Sequence, residues 1–201
     1  MVRTNVAIDE SIAYILSDEA GRQNKTLYAF TNELLSTVLK ITKEGGGTGE
    51  IYASWRFMHM LREIDSVPLP GDLLEKLINK LFDNEKEWLL KAWYEEGAKL
   101  GTYLQLYQPK FEELADLARE VKALLPMKKV EVIRGLDTGD SIEFSIKAIG
   151  AGLSPASTNC AERFVHGILS AYSMKIGSSR ASEGIIEIKA AQPKAQPRNV
   201  L

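Results

Sequence analysis

The chain has 201 residues, 45% hydrophobic and 26% charged, which is enough apolar material for one small and one larger domain. Its net charge of -2 excludes a general nucleic-acid coat, so any basic surface must be local. The one cysteine, Cys160, excludes an intrachain disulfide framework and fits a reducing compartment; without a signal peptide or an 18-residue apolar run, the chain reads as a soluble cytoplasmic protein with no membrane partner.

The first elements carry the strongest pattern. Thr4, Val6 and Ile8 alternate with Arg3, Asn5 and Ala7, which predicts a short strand with an apolar face and an outward face. A lone strand must pair to satisfy its backbone, and the next strand signal lies beyond residue 128. The simplest partner is therefore the same strand of a second copy. On such a ribbon Arg3 and Asn5 would suit the major groove of DNA, where Arg pairs with guanine and Asn with adenine. The alternative is an ordinary edge strand with its polar residues in solvent.

Asp9 then caps a helix with Ile12, Ile15 and Leu16 at helical spacing, and Asn24 suits a left-handed turn position. Thr26 caps a second helix whose Leu27, Phe30, Leu34, Leu35, Val38, Leu39 and Ile41 are too many for a solitary hairpin. With that order, residues 2–42 resemble the ribbon-helix-helix family of DNA-binding proteins. The resemblance implies base contacts from Arg3, Asn5 and Ala7, the last against a thymine methyl. It also implies phosphate contacts from Lys25, Thr26 and Leu27 at the start of the second helix, where free N–H groups and the helix dipole favour an anion.

Residues 44–50, with four glycines, read as a hinge; the alternative of a phosphate cradle lacks both a G-K-[ST] ending and a preceding strand. Helices are expected at 51–64, 72–82 and 84–106, and from Pro109 to about Leu125. Their aromatic stripes, with Trp55, Phe57, Trp88 and Trp93, read as core, or alternatively as the lining of a ligand pocket. The last third changes period. Strands are expected at 129–134, 141–149 and 185–189, with a helix at 157–174 between the second and third. Ile142, Phe144, Ile146 and Ala148 should share the buried face of the second strand. Residues 191–201 read as a mobile tail. The Glu95-x-Gly97-x-x-x-Gly101 stretch, the strand-strand-helix-strand end and Cys160 at the start of the last helix resemble 4-vinyl reductase-like ligand-binding domains across residues 71–190.

The expected fold class is α+β. It comprises a ribbon-helix-helix domain (1–43) whose two-stranded ribbon is swapped in a dimer, the hinge, and a helical and α+β domain (51–190) for dimerisation or ligand sensing. The expected function is a homodimeric, sequence-specific transcriptional regulator with double-stranded DNA as partner and a small-molecule effector as a further possibility. The alternative is an assembly protein that uses its N-terminus only to dimerise. No enzyme is expected, since no nucleophile, base and orienting group can be assigned. No metal or cofactor is expected either: Cys160 and His166 are six residues apart and His59 is the only other histidine, while Asp137, Asp140 and Glu143 read equally as a solvated turn or a hard-cation site.

Overall fold

The computed structural model of the protein describes residues 5–120 and 128–194. The chain divides into two units, Met1–Tyr52 and Ala53–Leu201. The division falls inside a helix, α3 (Thr48–Glu63).

The first unit is built on a helix pair. α1 (Glu10–Arg22) follows an extended Asp9, and α2 (Leu27–Lys43) follows Thr26, whose hydroxyl accepts the N–H of Ala29. Between them Asn24 takes a φ of 54°, and the Lys25 N–H closes the end of α1 on the Ala20 carbonyl at 2.9 Å. Ala20 and Phe30 are buried, whereas Ile12, Ile15, Leu35 and Leu39 are exposed.

Here the expected ribbon is corrected. Residues 5–9 form no strand, and the first regular element among the described residues is α1. A swapped two-stranded ribbon therefore has no support, and neither does a ribbon-helix-helix fold. The cause is an ambiguity of period. Ile8, Ile12 and Ile15 fall at i, i+4 and i+7, so the residue that ends the alternating run also opens a helical stripe.

The second unit continues with α4 (Gly71–Asn84), α5 (Lys86–Tyr107) and α6 (Phe111–Glu120). The expected end of α6 near Leu125 lies outside the described residues. Among the described residues no helix is long and apolar enough to cross a membrane. After α6 come β1 (Lys129–Asp137), β2 (Ser141–Ile149), α7 (Pro155–Ala171), β3 (Lys175–Ser182) and β4 (Ile185–Pro193). The four strands form one antiparallel sheet in the order β1-β2-β4-β3. β3 is the second correction, because K-I-G-S-S-R-A-S has no alternating apolar face to announce it. The expected strand-strand-helix-strand end is thus a strand-strand-helix-strand-strand unit in the structure. Ala191 to Pro193 belong to β4, and residues 195–201 lie outside the described residues.

One face of the sheet forms the core. Phe144, Ile146 and Ala148 of β2 and Ile186, Ile188 and Ala190 of β4 are buried together with Leu169, Tyr172 and Phe111. Phe111 stands edge-on to Phe144, with ring centroids 4.8 Å apart. Full burial of each large aliphatic residue here contributes about 1.5–3 kcal/mol.

α7 is in turn held by α5 at an unusually close crossing. A Cβ added at Gly97 would lie 2.1 Å from the Phe164 carbonyl oxygen, and one at Gly167 would lie 2.1 Å from that of Tyr94. Only glycine lets the two backbones meet at this distance. That accounts for the Gly97-x-x-x-Gly101 spacing as a packing device. A smaller cluster, Ile78, Leu89, Ala156 and Cys160, joins α4, α5 and α7.

Candidate functional site

Three polar constellations lie in the second unit, and their hydrogen bonding separates structural roles from free chemistry. The first closes the start of α7. Ser154 and Ser157 form a reciprocal capping box, and Glu75 of α4 accepts the Leu153 N–H at 3.0 Å and the Ser154 hydroxyl at 2.8 Å. Burial acts to raise the Glu75 pKa, but hydrogen bonds from Ser157, Leu153 and Ser154 outweigh it and hold the group below its ordinary 4.5. Thr158 donates to the Ser154 carbonyl at 2.8 Å and accepts the Gly184 N–H at 2.8 Å, tying the β3–β4 turn to the helix. These donors are spent on the fold. Nearby Cys160 is fully buried, and burial together with Glu75 pushes its thiol up to about 11, which favours the neutral thiol at neutral pH.

The second constellation joins α7 to the edge strand β3. Ser179 donates its hydroxyl proton to Glu162, and His166 Nε2 lies 2.9 Å from the same serine oxygen. Because the only hydroxyl proton is committed to the carboxylate, His166 must supply an N–H here. It cannot then act as base toward Ser179, so this is no activated nucleophile. Burial, opposed by Glu162 and aided by Arg163, lowers the His166 pKa from 6.5.

The third lies on the other face of the sheet, which no described helix covers with buried side chains. Residues paired across β2, β4 and β3 form two adjacent rows, Ser145–Lys189–Ser178 and Lys147–Glu187–Arg180. These six side chains line a half-open depression of about 380 Å³. Lys147 Nζ is 2.6 Å from Glu187 Oε1, and the bond raises the lysine pKa and lowers that of the glutamate. Glu131 of β1 lies across from Lys147 and extends the second row. The first row has no such partner: among the described residues Lys189 makes no ion pair and stands between two hydroxyls.

A β-bulge creates this arrangement. Ile176 pairs with Ala190 on the core face, but the register shifts before Ser178, which pairs with Lys189. The extra residue is Gly177. Were Gly177 itself paired in a regular ladder, Ser178 and Arg180 would alternate onto the core face; with Gly177 bulged out they lie on the open face and Ser179 turns to α7.

The residues expected from the sequence lie elsewhere. Arg3 is outside the described residues, and Asn5 and Ala7 are exposed ahead of α1 with no strand to align them. Lys25 is 2.6 Å from Glu33, the Thr26 hydroxyl is used in capping α2, and Leu27 opens that helix half-exposed. Lys25, Thr26 and Leu27 are brought together only as chain neighbours. Asp137 is bonded to Lys194 at 2.6 Å and to the Gly139 N–H at 3.1 Å, which explains that turn without a cation. Sequence reasoning missed Ser145, Ser178, Arg180 and Lys189. The available signal was the Glu183-Gly184 pair ahead of the alternating Ile186, Ile188 and Ala190. Both turn residues have positive φ, at 39° and 80°, as a tight hairpin requires.

No protein-family model matches the chain, and no curated protein matches its sequence. Neither resemblance noted from the sequence is therefore borne out by a family match. Among solved structures the chain is similar to a point mutant of the H-NOX of T. tengcongensis, at 12% identity and a TM-score of 0.44, covering 70% of this chain and 87% of that one. It is also similar to an oxygen-binding H-NOX domain related to soluble guanylate cyclases, at 11% identity and a TM-score of 0.43, covering 69% and 84%. A third, from work on haem distortion in the H-NOX family, has 10% identity and a TM-score of 0.40, covering 70% and 87%. With no strand in residues 5–9 to form the ribbon, the expected DNA-binding function and the DNA partner are withdrawn.

The described residues do not fit a haem. His166 has its Nε2 against Ser179, and His59 lies flat against Trp55 on α3 with ring centroids 5.3 Å apart. The α5–α7 crossing is closed at its glycines, and the space between α7 and the sheet is filled by Phe144, Leu169, Ile186 and Ile188. No group of three or more His, Cys, Asp or Glu side chains is placed to hold a metal among the described residues.

Proposed function

We propose that the unit from Ala53 onward is a small-molecule-binding module whose ligand sits on the open face of the sheet. The observation that carries this reading is the depression of about 380 Å³ across β2, β4 and β3, a volume within the range of small-molecule sites. Two of its three strands are anchored from behind, since the opposite faces of β2 and β4 supply Phe144, Ile146, Ile186 and Ile188 to the core, while β3 is an exposed edge strand.

The test is a titration of the ¹⁵N-labelled full chain with a fragment mixture spanning neutral, cationic and anionic compounds, followed by amide shifts. Saturable shifts centred on Ser145, Ser178 and Lys189, lost in Ser178→Trp, are the expected result. Shifts confined to other parts of the chain would overturn the reading.

A further inference from the structure

Resting on that reading, we propose that the open face recognises a phosphate group carried by a small molecule. The depression is lined by three cations, Lys147, Arg180 and Lys189, and one carboxylate, Glu187, with Glu131 of β1 beside Lys147, so cations still outnumber carboxylates although the chain as a whole is acidic. Glu187 is bonded to Lys147 and faces Arg180 across the strands. The Lys189 ammonium and the hydroxyls of Ser145 and Ser178 form the neighbouring row, and the Arg180 guanidinium, with five N–H donors, keeps donors to spare beside Glu187.

The set suits phosphate better than a carboxylate. The donors come from three strands, and the tetrahedral oxygens of a phosphate can face them from several directions, whereas the two oxygens of a carboxylate, with about four lone-pair sites, lie in one plane. Arg180 supplies a planar fork and Lys189 a point charge, the two complementary ways proteins hold phosphate. The bulge at Gly177 shapes the site: the register shift places Ser178 and Arg180 on the open face opposite Lys189 and Glu187, and Ala181 opposite Ile186 on the core side. Glu187 holds Lys147 in the second row.

The experiment uses the ¹⁵N-labelled full chain with inorganic phosphate as probe, at constant ionic strength, beside sodium chloride, acetate and a neutral fragment set. Saturable phosphate shifts at Ser145, Ser178, Arg180 and Lys189 are expected, with acetate at least about fivefold weaker, because fewer charge-assisted bonds form. Arg180→Ala and Lys189→Gln should each weaken phosphate binding about tenfold, as expected for loss of a bond to a charged group. Lys129→Ala, on the neighbouring strand, should leave it unchanged. Far-UV circular dichroism confirms that each variant is folded. If chloride reproduces the phosphate shifts, or acetate binds as tightly, the phosphate assignment is overturned. If neutral fragments shift these amides and phosphate does not, the assignment fails while the binding module stands. If no probe shifts them, both fail.

Discussion

The two faces of the C-terminal sheet are made from the same strands yet follow opposite rules. On the face toward α7, the central side chains of β2 and β4, from Phe144 to Ala148 and from Ile186 to Ala190, are apolar and buried, and the polar groups of His166 and Thr158 at its margins are hydrogen-bonded. On the other face the positions between them carry Ser145, Lys147, Glu187 and Lys189, and one row keeps donors with no partner. The difference teaches where function can reside. A donor satisfied by the fold holds the fold together, whereas a convergent set left unsatisfied on a rigid platform is available to something else.

The closed side is the easier one to break. Gly167→Val would drive a side chain into the Tyr94 carbonyl, where even a Cβ would be 2.1 Å away, and should cost about 4 kcal/mol or more or abolish folding, measured by chemical denaturation. Thr158→Val keeps the shape but strands the buried Gly184 N–H, and a loss of about 1–3 kcal/mol is expected in the same assay. His166 sharpens the contrast through pH. Burial holds its folded pKa below 6.5, so its contribution is complete above that value and is lost as pH falls through the lowered folded pKa. The melting temperature of the parent should therefore fall more steeply below pH 6.5 than that of His166→Asn. On the open face, Lys147→Met removes an exposed ion pair and should leave the denaturation midpoint unchanged, because solvent screens such pairs.

The closed face was legible in the sequence and the open one was not, for a physical reason. Ile142, Phe144, Ile146 and Ala148 repeat every second residue, and three of the four are buried where that period places them. β3 has no such signature, since Lys175 to Ser182 lies at an edge and buries little. Its functional content depends on the bulge at Gly177, a register event that no period reveals. The Gly97 and Gly101 pair was visible in the sequence, but its meaning needed α7, and Gly167 lies far away in the chain. At the other end, the alternation of Val6 and Ile8 was too short to separate a strand from the lead-in to α1. The spacing of Asn5 and Ala7 therefore carried an expectation that the fold does not support.

The most direct measurement compares amide shifts on the two faces of the sheet as a saturating ligand found in the fragment titration is added to the full chain. The account requires shifts at Ser145, Ser178 and Lys189 on the open face while Leu169 and Tyr172, which pack behind the sheet, stay within the baseline. Shifts that centre on Leu169 and Tyr172, with the open-face amides silent, would contradict it.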